Sequence, residues 1–134
     1  MKAACPCGGV SIALAASPEN LNSCNCSLCF RLGVLWGYFD PKDVTITGET
    51  STYRRDDIEA WIDTHFCPSC GATTNWAFID PDRPPRMGVN MRLFGPEQLL
   101  GIPVRFSDGR NWSDKPNPPA ERRERVAFAH DGPF

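Results

Sequence analysis

Cys24-Asn25-Cys26-Ser27-Leu28-Cys29 places three thiols within six residues, at i, i+2 and i+5. A chain wound that tightly can aim three sulfurs at one point. Two further pairs bracket it, Cys5-Pro6-Cys7 near the start and Cys67-Pro68-Ser69-Cys70 past the middle. Each pair is followed at once by glycine, Gly8 and Gly71, which permits the backbone turn a metal knuckle needs. The seven cysteines thus divide into four plus three. Structural zinc is closed by four protein ligands, whereas catalytic zinc keeps three and leaves one position open. The count therefore suggests one closed site and one open site, with zinc as cofactor, two per chain.

Length and composition set the frame around these clusters. A chain of 134 residues makes one domain with a modest hydrophobic core. With 14 basic and 16 acidic residues the net charge is -2, which gives no electrostatic case for nucleic acid or an acidic membrane as partner. Thirteen prolines and 11 glycines among short apolar runs predict a mostly β fold with many turns and few short helices. The apolar runs are far too short to span a bilayer. Lys2 and the small residues 13–16 superficially suggest an export signal, but Cys5-Pro6-Cys7-Gly8-Gly9 would break its apolar helix, so that reading is rejected. A cytoplasmic location is expected. In a reducing compartment clustered cysteines bind metal more often than they pair, and an odd number would leave one thiol over.

Along the chain, residues 10–14 alternate with the period of a half-buried strand. Residues 27–32 predict one helical turn stopped by Gly33. Strands are expected at 34–39, 44–48, 60–66, 73–79, 88–94 and 103–106, with 50–54 continuing from the second of these. The runs 60–66 and 73–79 flank Cys67 and Cys70 as a strand–knuckle–strand unit. Pro96 opens a short helix to residue 100. After Trp112 the composition shifts, so residues 2–112 are read as the zinc-binding domain and 113–134 as a polar, proline- and charge-rich C-terminal tail. Residues 113–119 are proline-rich, and 120–129 allow a short peripheral helix.

The cysteines carry the chemistry. Cys67-x-x-Cys70-Gly71 has the spacing of a zinc knuckle; a thioredoxin-like pair would need a helix at the second cysteine, where Thr73-Thr74 is β-prone instead. Joining Cys5 and Cys7 to Cys67 and Cys70 would staple the N-terminus to the middle of the chain, with structural zinc contributing on the order of 10–16 kcal/mol of apparent binding free energy. For Cys24, Cys26 and Cys29 an alternative remains open, a second structural zinc completed by His65 or His130.

Cys5-Pro-Cys-Gly-Gly, then Cys24-Asn-Cys-Ser-Leu-Cys-Phe-Arg-Leu-Gly, then Phe66-Cys-Pro-Ser-Cys-Gly resemble the signature of the glutathione-dependent formaldehyde-activating (GFA) family, over roughly residues 2–112. The resemblance implies a β-tent of short antiparallel strands. It implies a structural zinc on Cys5, Cys7, Cys67 and Cys70 and a second, catalytic zinc on Cys24, Cys26 and Cys29. The activity it implies is carbon–sulfur lyase chemistry of the S-hydroxymethylglutathione synthase type, joining glutathione and formaldehyde or reversing that step.

That chemistry suits the ligands. Three thiolates donate much charge, so the metal is a poor activator of water but a good partner for an incoming thiol, which zinc deprotonates outright. The resulting thiolate is the nucleophile that formaldehyde needs. The sequence shows no obvious general base. Glutathione is the expected small-molecule partner, and its carboxylates call for arginines. Arg31, two residues past Cys29, is the first candidate, and Arg92 with Asn90 the second. Trp36, Trp76 and Trp112 either line the pocket or fill the core, with Trp36 taken as the substrate-binding candidate. The alternative function is a non-catalytic zinc-stabilised binding module in which both cysteine clusters are structural.

Overall fold

In the computed structural model, which describes residues 1–112 and 119–134, short strands dominate. Strand β1 (Lys2–Ala4) and β2 (Ser11–Leu14) form an antiparallel hairpin with Cys5 and Cys7 in its tip. After β3 (Leu21–Asn22) come helix α1 (Ser27–Leu32), β4 (Trp36–Phe39), β5 (Val44–Thr47) and β6 (Ser51–Tyr53). Strands β7 (Ile62–Phe66) and β8 (Thr73–Phe78) make a second hairpin, and its tip carries Cys67 and Cys70. The expected strand–knuckle–strand unit is present. The chain ends through β9 (Met87–Asn90), β10 (Pro103–Arg105) and β11 (Val126–Ala127).

Two sheets result, one of three strands in the order β1-β2-β5, the other of eight in the order β11-β10-β3-β4-β9-β8-β7-β6. Period-two alternation drives Ile12 and Leu14 of β2 inward, where they meet Leu21, Leu35, Val89, Met91, Val104 and Phe106. A second apolar group gathers Val34, Trp36 and Trp76 beside Cys29. Gly88 makes this possible, since a Cβ there would lie 2.0 Å from Trp76 Nε1. Any side chain would push the indole off the sheet.

Three expectations change. The run 88–94 is not one strand: β9 stops at Asn90, whose side chain accepts from Arg92 N (3.2 Å) and caps a 3-10 turn over Met91–Leu93. The sheets are antiparallel apart from the β3–β10 pair, which is parallel. The helix that residues 120–129 allow does not form, and the segment is extended. Glu121 bridges to Ser107, β11 pairs with β10, and Phe128 stacks on Phe134 with ring centroids 4.7 Å apart. The alternation of Val126 and Phe128 explains this, because both side chains pack against the core. Val126, Phe128 and Phe134 thus anchor this tail on the core while most of residues 119–134 stay exposed, and the proline-rich reading of 113–119 falls almost wholly outside the described residues.

Candidate functional site

The two hairpin tips bring the first four cysteines together. Each tip closes in the same way. Gly8 N donates to Cys5 O and Gly71 N to Cys67 O, both at 2.8 Å, with the glycines at φ 76° and 74°. The four sulfurs all lie within 4.8 Å of one another, Cys5 to Cys7 at 3.6 Å and Cys7 to Cys67 at 3.5 Å. Tetrahedral zinc with Zn–S of about 2.3 Å would set its sulfurs about 3.8 Å apart, so the set fits that ion with little adjustment. Amides of Gly9 and Val10 point at the Cys7 and Cys5 sulfurs (3.4 and 3.2 Å), as ionised thiols require. All seven cysteines are free of disulfides.

Cys24, Cys26 and Cys29 form the second set, again with sulfurs within 4.8 Å. Cys26 is the N-cap of α1, its sulfur accepting from Cys29 N at 3.4 Å, while Cys26 N donates to Cys24 Sγ at 3.4 Å. Gly33 ends the helix in the left-handed conformation at φ 62°. Trp36 Nε1 donates to Cys29 Sγ at 3.2 Å. Cys24 and Cys29 beside it, with backbone amides, hold the Cys26 thiol down at about 2, whereas the same neighbours and burial push Cys29 far up. The cluster thus welcomes one negative charge and resists more unless a cation joins it. Three soft thiolates and a vacant direction suit zinc. Among the described residues no histidine completes the set: His65 Nδ1 instead faces Thr50 Oγ1 at 3.2 Å.

These three sulfurs open into a cleft of about 810 Å³. Its aromatic walls include Trp36, Tyr38, Trp61, Trp76, Phe78 and Trp112. The loop 107–112 reaches over the cysteines so closely that a Cβ on Gly109 would lie 2.5 Å from Cys24 Sγ. It is pinned there by Asn25, whose Nδ2 donates to Asp108 Oδ1 and whose Oδ1 accepts from Arg110 N, each at 2.9 Å. Five arginines line the same space against a single acidic residue, Glu59. Arg55 is held by Asp57 and donates to Ser27 Oγ at 3.2 Å, and Arg105 is held by Glu121 at 3.2 Å. Arg83 lies 4.1 Å over the Trp61 ring, and Arg86 lies 4.2 Å over the Tyr38 ring. Among the described residues, no ion pair engages Arg83, Arg86 or Arg110.

The candidate residues separate on this geometry. Trp36 lines the cleft and also belongs to the buried group with Trp76, so pocket and core descriptions both hold for it. Arg31, exposed on α1, donates to Ser27 O at 3.2 Å and is outside the cleft lining. Asn90 is buried with its amide committed to Leu35 N, Arg92 N and Thr73 O, and exposed Arg92 also lies outside the lining. Sequence reasoning missed Arg55, Arg83, Arg86, Arg105, Arg110 and Tyr38. The one available signal was Arg83 and Arg86 flanking Pro84-Pro85, a pair held rigid by proline in an otherwise acidic loop.

Known proteins resemble the chain over most of its length. The model of the glutathione-dependent formaldehyde-activating enzyme family matches residues 1–100. The chain belongs to that family. A crystal structure of a Rhodobacter sphaeroides protein, a structural genomics target, is similar at a TM-score of 0.60 and 25% identity, covering 78% of this chain and 99% of that one. No curated protein matches. The family's span holds all seven cysteines, whereas Arg105, Ser107, Gly109, Arg110 and Trp112 of the cleft lie beyond it.

Proposed function

We propose that this GFA-family chain is a zinc-dependent carbon–sulfur lyase or synthase acting on the adduct of glutathione, or a similar carboxylate-bearing thiol, with formaldehyde or another small electrophile. The observation that carries the reading is the opening of three half-buried sulfurs onto an arginine-lined cleft. Zinc on Cys24, Cys26 and Cys29 would supply a fourth position that holds a thiol as its thiolate. A second zinc on Cys5, Cys7, Cys67 and Cys70 would be structural, joining hairpin tips 60 residues apart in sequence.

The chain's own residues do the rest. Arg83, Arg86 and Arg110, without ion pairs among the described residues, take the carboxylates, and the aromatic walls flank the reacting atoms. Substrate binding thus passes from Arg31, Asn90 and Arg92 to these cleft arginines, with Trp36 retained as wall and as donor to Cys29. No helix among the described residues is long and apolar enough to cross a membrane. Free thiols at both sites suit a reducing, cytoplasmic setting.

Cobalt substitution tests the reading. The spectrum of the three-cysteine site should change when glutathione is added, and adduct formation from glutathione and formaldehyde should exceed the uncatalysed rate only with metal present. A spectrum indifferent to thiol would make the cluster structural and the chain a binding module.

A further inference from the structure

Tyr38 is a cleft residue whose hydroxyl has an unusual set of partners. It lies two residues after Trp36 on β4, so both side chains leave the same face of the strand, the face that looks onto the cysteines. Asn22, paired with Trp36 across β3 and β4, donates from Nδ2 to the Tyr38 oxygen at 2.5 Å. Fully buried Ser107 donates to Asn22 Oδ1 at 2.6 Å, so the Asn22 oxygen faces Ser107 and its NH2 faces Tyr38. The Tyr38 oxygen therefore accepts, and its single proton must find an acceptor elsewhere. No hydrogen bond within the described residues takes it. Tyr38 lines the cleft that also holds Cys24 and Cys29.

We propose that Tyr38 is the donor to the carbonyl oxygen of the electrophile, and the acceptor of the same proton when the adduct breaks down. The inference rests on the thiol–aldehyde reading above. When the thiolate sulfur bonds to the carbonyl carbon, the C=O π pair moves onto oxygen. That oxygen takes the Tyr38 proton and becomes the adduct's hydroxyl. The phenolate then recovers a proton from water in the cleft, balancing the one the thiol released on binding. In the reverse direction Tyr38 first returns its proton to water in the cleft; the phenolate then removes the hydroxyl proton, the C=O bond re-forms and the C–S pair leaves on sulfur, which takes up a proton as the thiol departs. A transient phenolate is supported on two sides, by the Asn22 amide at its oxygen and by the Arg86 guanidinium over its ring. Burial pushes the phenol up to about 12, so the proton is in place when the adduct forms. This supplies the proton-transferring group absent from the sequence motifs.

Tyr38→Phe tests this, with glutathione and formaldehyde as probes and exchange measured above the uncatalysed background. A single donor to a developing oxyanion is worth roughly a hundredfold or more in kcat. We expect kcat to fall on that scale while the melting temperature, metal content and glutathione Kd stay near those of the unmodified protein. The unmodified protein should show a normal solvent isotope effect on kcat, lost in Tyr38→Phe. Ser107→Ala, which frees the Asn22 amide, should lower kcat less, again at unchanged Kd. A Tyr38→Phe protein that turns over normally overturns the proposal and leaves the thiol–aldehyde reading standing. Loss of glutathione affinity in step with kcat also overturns it, making Tyr38 only a wall. If the unmodified protein catalyses no exchange, the parent reading fails and this inference with it.

Discussion

Trp36→Phe separates the two cysteine sites. Trp36 is 3% exposed, and its indole N–H reaches Cys29 Sγ at 3.2 Å. Phenylalanine keeps most of the ring's packing against Val34 and Trp76 but removes the donor. A hydrogen bond to an ionised group contributes about 1.5–3 kcal/mol. At 1.4 kcal/mol per factor of ten, its loss should weaken metal binding at Cys24, Cys26 and Cys29 by roughly ten- to a hundredfold. The four-cysteine site is an internal reference, since Trp36 belongs to a different packed group from Cys5 and Cys67. Shrinking a buried ring also costs the fold on the order of 1–3 kcal/mol, so affinities must be read well below the melting transition. The assay is competition with a chromophoric chelator, resolving two release phases. Only the weaker phase should move. An unchanged weaker phase would refute the reasoning, and so would equal weakening of both phases, which would mean general loosening.

Mild chelation of the unmodified protein should remove about one metal ion per chain and leave the circular dichroism spectrum intact, because only the four-cysteine set is closed. Cys67→Ser should lower the melting temperature sharply, whereas Cys26→Ser should leave the fold standing and abolish the thiol-dependent cobalt spectrum; equal unfolding by both would assign two structural sites. Arg83→Gln with Arg86→Gln should weaken glutathione binding by roughly ten- to a hundredfold and spare mercaptoethanol, which has no carboxylate. Arg31→Ala, outside the cleft, is the control for that calorimetric titration.

What the sequence made legible was local. The set 24–29 needs only one tight turn and a short capped helix, and each knuckle needs only its glycine, so spacing sufficed to locate the sulfurs. Strands 62–66 and 73–78 were equally plain, since a knuckle between two β-prone runs is already a hairpin. The cleft was not legible, because its walls are assembled from distant segments. Leu21–Asn22 is too short to show alternation, and its parallel partner lies beyond residue 100. Arg83 and Arg86 sit in a loop without periodicity, so nothing in their spacing announces that both would settle over aromatic rings. Arg31 looked right by proximity along the chain. A helical turn then aimed it elsewhere.

The loop that presses Gly109 against Cys24 comes from outside the span common to the family. It is tied to the sulfur-bearing segment through Asn25, whose side chain meets residues 108 and 110 and whose N–H donates to Ser107 O at 3.3 Å. One face of the reaction chamber is therefore a replaceable panel. Changing residues 109–112 would alter what the chamber admits without replacing any of the seven cysteines. For protein engineering, exchanging residues 109–112, beyond the buried Phe106 and Ser107, is the economical route to a new thiol.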